Sequence, residues 1–132
     1  MANALYDIGR ARFLGGEIDW AGHDIKLVFT DHDVDTPNPA ADDDLADISA
    51  GTIATSGNFA GKSETTGVAD ADDITVSTVA GAEFESINIY DDTHANDALI
   101  AYIDTATGLP FTPSGGDIEV QWDAGANKIF KL

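Results

Sequence analysis

The chain has 132 residues, 43% of them hydrophobic, and its 24 acidic against 6 basic side chains give a formal charge of −18. Such a charge repels nucleic acid and anionic membranes, so neither is an expected partner. With no cysteine, disulfides, thiol nucleophiles and cysteine–zinc sites are excluded together.

The length suits one domain spanning 1–132, with an N-terminal helical arm over 1–16 and a β-domain over 17–132. No apolar run approaches the roughly 20 residues of a membrane span, and "MANALYDIGRARFLGG" shows no secretory apolar region. Nineteen of the acids are aspartate. Short carboxylates keep a surface hydrated when salt competes for water, and molar salt shortens the Debye length to about 3 Å, which removes most self-repulsion. A strongly saline setting is the expectation.

"NALYDIGRARFLGG" predicts the one helix, with Leu5, Ile8 and Arg12 near one face, Asn3 as a cap, and Gly15 and Gly16 as the stop. From there the pattern turns to strands. "GEIDW" and "DIKLVFT" flank "AGH", which predicts a hairpin over 17–30. The following "DHDVDTPNPAADDD" (31–44) places Asp31, Asp33 and Asp35 at the first, third and fifth places of a calcium-loop pattern. Thr36 and Pro37 stand where that loop needs a glycine, and a strand precedes it where a helix belongs. The expectation is a hydrated outer loop, with a weak cation site on Asp31, Asp33 and Asp35 as the alternative.

Short β-compatible runs continue at "GTIATSG", "NFAGK", "DITVSTV", "EFESINIY", "ALIAYIDT", "DIEVQW" and "KIF", separated by turn-formers such as "TTG" and "DAGAN". In "EFESINIY" the apolar residues keep no strict parity, which implies a bulge or a two-sided strand. In "DIEVQW", Ile118, Val120 and Trp122 share one face; in "LIAYIDT" both faces look covered. This spacing predicts an all-β fold, an antiparallel β-sandwich or jelly roll with one short N-terminal α-helix.

His23, His32 and His94 fall in turns with no HxH or HExxH spacing, although His94 amid Asp91, Asp92 and Asp97 has the surroundings of a ligand or titrating group. There is no GxSxG elbow, P-loop or GxGxxG, and among 24 acids some carboxylate pair reaches glycosidase spacing by chance. No enzyme activity and no cofactor are expected. Phe111, between Pro110 and Pro113, is either a rigid contact point or folds back to close the sandwich end. The cations are polarised along the chain: Arg10, Arg12 and Lys26 lie early, Lys128 and Lys131 late, and only Lys62 lies between. If the termini meet, one end of the domain is much less negative; otherwise these cations pair locally with Asp7, Glu17 or Asp123.

Three stretches in order resemble a family of small structural proteins from tailed viruses of bacteria and archaea. They are Gly9, Arg10, Phe13 and Leu14 in the helix; Ile18, Trp20, Ile25 and Lys26; and "GLPFTPSGGDI" followed by Trp122, Gly125 and "KIF". "TGVADADDITV" adds to the likeness, and residues 31–66 lie outside it. The resemblance implies a virion component on the head surface, assembled in the host cytoplasm. It would be a capsid decoration or cement protein that clamps major capsid subunits, often as a trimer. It implies no catalytic residues. Arg10, Arg12, Phe13, Phe111, Lys128 and Lys131 are the expected capsid or subunit contacts. A tail or head–tail connector subunit, or a carbohydrate- or calcium-binding β-module, are the alternatives.

Overall fold

The computed structural model describes residues 3–132. The elements are β1 (Ala4–Leu5), α1 (Asp7–Leu14), β2 (Ile25–Thr30), β3 (Thr52–Thr55), β4 (Ser63–Thr65), β5 (Val68–Asp70), β6 (Ile74–Val76), β7 (Ser86–Asp91), β8 (Ala98–Ile103), β9 (Ile118–Val120) and β10 (Phe130–Lys131). Among the described residues the strands form a five-stranded sheet ordered β1–β8–β7–β2–β3, a three-stranded sheet β10–β5–β4 and a two-stranded sheet β6–β9. Every pairing is antiparallel, so this is the all-β sandwich with one short helix that the alternation predicts.

The large sheet is covered on both faces. Ile25, Leu27 and Phe29 of β2 join Ile87 and Ile89 of β7 on one face, against Ala69, Val76 and Val120 of the small sheets. On the other, Val28, Tyr90, Leu99 and Tyr102 pack under Tyr6 and Ile48, with Ile8 and Leu45 at the margin. Two covered faces explain why β8 (ALIAYI) reads as an apolar run, whereas β7 (SINIYD) alternates and buries its polar Ser86 and Asn88 as well. Each fully buried Leu or Ile here contributes about 1.5–3 kcal/mol of transfer free energy.

A bulge fixes where the helix docks. Ile89 pairs with Ala101 and Tyr90 with Leu99, so Ile100 is the extra residue on β8. Its carbonyl accepts from Tyr6 N–H at 2.9 Å. Gly9 then lies so close that an added Cβ would stand 2.7 Å from the Leu99 carbonyl oxygen and 3.2 Å from Ile100 Cα. Only a residue without a side chain lets α1 settle there. Of the two readings that the broken parity of 83–90 allowed, the two-sided strand holds, because β7 is buried along its whole length and the extra residue of the bulge sits on β8.

Several local expectations are corrected. The helix begins at Asp7, after Tyr6, and not at the start of "NALYDIG". Leu5 pairs with Ala101 instead, and Asn3 caps no helix: its Oδ1 accepts from the N–H groups of Asp104 and Thr105, each at 2.9 Å. No 17–30 hairpin forms, because β2 pairs with β3 and β7. The alternation of Ile18 and Trp20 reflects a loop anchored in the core, both side chains being buried. "NFAGK" is likewise a loop, whose Phe59 N–H donates to the Ile25 carbonyl at 2.8 Å, and whose ring meets Trp20 edge-on at 6.0 Å. "TTG" is a true turn: Thr66 (φ 51°) and Gly67 (φ 83°) form the two-residue loop between β4 and β5. Positive φ at both central positions is the geometry that matches strand twist in a tight hairpin.

Candidate functional site

The acidic segment 31–44 is an outer loop with Asp33 and Asp43 exposed, but parts of it are anchored in the fold. Asp31, Pro37 and Pro39 are buried, and the carboxylates of Asp31, Asp42 and Asp44 are engaged. Asp31 Oδ1 accepts from Asp33 N–H at 2.9 Å, and Asp42 Oδ2 from Asn38 N–H at 2.7 Å. Asp47 Oδ2 accepts from both Asp43 (2.9 Å) and Asp44 (3.1 Å). Those two N–H groups hold the Asp47 carboxyl below the usual aspartate range. Burial pushes the Asp42 carboxyl up, and the charges of Asp47, Asp35 and Asp43 add to it, against the lowering from Asn38 N–H.

The candidate cation site is corrected in membership. Asp31 and Asp33 gather with Glu85, not with Asp35, their oxygens lying within 4.8 Å of one another. Three carboxylates suit a hard cation, yet Asp31 already stabilises its own turn. Glu85 Oε2 accepts from His32 N–H at 2.8 Å. Two of the three carboxylates, those of Asp31 and Glu85, thus already accept backbone N–H groups.

Beneath this segment lies a buried polar network that sequence reasoning missed. Tyr6 Oη donates to Asn88 Oδ1 at 2.6 Å. Asn88 Nδ2 donates to Thr30 Oγ1 at 3.0 Å and Ser86 Oγ at 3.1 Å. Ser86 Oγ lies 2.8 Å from His32 Nε2. Burial pushes the Tyr6 hydroxyl up, aided by the charge of Asp42. Ser86 and His32 have the spacing of a nucleophile and its base, but Ser86 is 0% exposed inside β7. No substrate carbonyl reaches its Oγ in this arrangement. A second tie joins the loops at 17–24 and 91–97: His23 Nδ1 lies 2.6 Å from Oδ2 of the fully buried Asp91, and His94 Nε2 lies 3.3 Å from Glu17 Oε1.

The expected contact residues divide. Arg12 is a structural clamp: its side chain is only 11% exposed, 2.8 Å from Asp44 Oδ1 and 2.9 Å from the Asp43 carbonyl. It fastens the acidic segment to α1. Phe13 is half-buried, its ring 6.0 Å from that of Phe130. Phe111 folds back on the sandwich end, exchanging two 3.0 Å backbone hydrogen bonds with Phe84, although 39% of it stays exposed.

Arg10, Lys128 and Lys131 remain outward. Arg10 is 3.3 Å from Asp7 in an open pair, a geometry that contributes little. Lys128 Nζ reaches only the Ala124 carbonyl, at 3.3 Å. Lys131 has no ion-pair partner among the described residues. All three line one groove of about 840 Å³, between the β1–β8 end of the large sheet and the C-terminal strands β9 and β10. Residues 3–5 and 127–131 therefore line a common groove, and three of the six cations line it with them. A second recess of about 550 Å³ shares Phe130 with this groove and holds the half-exposed Leu132. Compared with known proteins, no protein-family model matches the chain and no curated protein matches it in sequence.

Proposed function

We propose that the protein is a virion structural protein of a tailed virus, a capsid decoration or cement protein that binds across major capsid subunits through its terminal end. The observation that carries this reading is the convergence of Arg10, Lys128 and Lys131 at one groove in a chain of charge −18. That end can approach another acidic protein surface, while the remaining faces repel it and stay hydrated. The ordered likeness to tailed-virus structural proteins supports the same reading. So does the burial of Ser86, the one hydroxyl hydrogen-bonded to a histidine ring among the described residues, which leaves a scaffold role the simpler one.

Many weak contacts repeated over a shell gain from high local concentration, and assembly as a trimer would multiply them. Quantitative mass spectrometry of purified particles tests the proposal: a decoration protein is present in hundreds of copies per particle. A handful of copies assigns it to the tail or connector instead, and absence removes the virion reading. For the saline setting, the melting temperature should rise from 0.1 M to 2 M sodium chloride as the self-repulsion is screened. A flat or falling trend would contradict it.

A further inference from the structure

The groove is walled by backbone as well as by charge. Among the described residues, β1, β9 and β10 are each the last strand of a different sheet, hydrogen-bonded to a neighbouring strand on one side only, and all three contribute residues to its lining. An open strand edge presents unpaired N–H and C=O groups and is a template for another strand. The floor is apolar, with Leu5, Ile103 and Ile129, while Arg10, Lys128 and Lys131 stand among the lining side chains. Of the chain's charged groups, three of six cations but only two of twenty-four acids, Glu119 and Asp123, line it.

We propose that this groove captures an extended segment of a different protein, one that alternates acidic and apolar side chains. The segment would add as a strand to an open edge, with its apolar side chains on the Leu5–Ile103–Ile129 floor and its carboxylates toward the cations. Main-chain hydrogen bonds supply affinity in this mode, and alternate side chains supply selection. The period of two along a strand places the two kinds of side chain on opposite faces. The choice of an acidic partner runs against the bulk charge, which by itself attracts cationic peptides. Peptide capture is a property of the isolated chain and does not rest on the capsid reading.

The test is fluorescence anisotropy of labelled eight-residue Asp-Val and Lys-Val repeat peptides against the full chain, in physiological salt. The Asp-Val peptide should bind saturably, and the Lys128→Glu/Lys131→Glu variant should weaken it about tenfold or more by like-charge repulsion. N-methylation of alternate amides in that peptide, which keeps its charge but blocks strand pairing, should abolish binding. Amide shifts of the unmutated protein should then move at Leu5, Val120 or Lys131, a readout that survives even if the double variant folds poorly. Binding of the Lys-Val peptide alone overturns the proposal, as do shifts confined to other surfaces. Self-association dependent on Lys128 and Lys131 without peptide binding would show a second copy as the occupant and overturn it too.

Discussion

Two regions of the molecule handle charge in opposite ways. Between Asp31 and Asp47, carboxylates are held in place: Asp31, Asp42 and Asp47 accept backbone N–H groups, and Asp44 takes Arg12. At the terminal groove the cations are few and lightly held, Lys131 having no ion pair among the described residues and Arg10 only an exposed one. Hydrogen bonds to a charged group at partly buried positions fix backbone, whereas open pairs contribute little and leave the charge available. Part of the conspicuous acidic run is thus architecture, and the sparse cations of the groove are charges left lightly held.

Mutations can break this contrast, beginning where both regions hang on one helix. Gly9→Ala should cost about 2–3 kcal/mol, because its Cβ meets the Leu99 carbonyl with no flexible atom to give way. Chemical denaturation would measure it, and loss of the α1 amide protection would locate it. Arg12→Gln should cost about 1.5 kcal/mol by releasing Asp44 and the Asp43 carbonyl. Hydrogen exchange should then rise across residues 42–47.

A smaller effect runs the other way. Burial raises the Asp97 carboxyl above the usual range, and the charge of Asp92 adds to it. A raised folded-state pKa means that the ionised carboxylate disfavours folding at neutral pH, and that this penalty fades as pH falls through the folded-state value. Asp97 also holds φ 53°, which asparagine tolerates well. Asp97→Asn should therefore stabilise the protein by about 0.5 kcal/mol at pH 7, with the gain vanishing in acid. A gain that persisted in acid would assign it to backbone preference alone. Smallest of all, Arg10→Gln should change stability by less than about 0.3 kcal/mol, in contrast to Arg12 two residues on. Equal effects at the two arginines would erase the distinction between clamp and contact.

What the sequence disclosed follows from how local each feature is. The apolar runs at 25–30 and 98–103 announce strands because burial is written into consecutive residues, and 86–91 does so through Ile87, Ile89 and Tyr90. The alternation at Ile118 and Val120 is equally direct, with Glu119 exposed between them. By contrast, β1 is two residues long and exists only through Tyr102 and Ala101, so Leu5 reads as the first turn of a helix. Ile18 and Trp20 mimic a strand because a loop pinned twice to a core shares its period. The carboxylate cluster needed Glu85, more than fifty positions from Asp31, and the network of Tyr6, Asn88 and His32 spans both halves of the chain. The groove was foreshadowed only by the cations lying near both termini, and its open strand edges had no local signature.

The most direct test of the central claim is rebinding to virus particles that lack the protein, with occupancy read by quantitative gel or mass spectrometry. Particles should bind the unmutated protein and an Asp42→Asn/Asp43→Asn variant to similar occupancy. The Arg10→Glu/Lys128→Glu/Lys131→Glu variant, shown to be folded by circular dichroism, should bind far less. Undiminished occupancy for that triple variant would contradict the account.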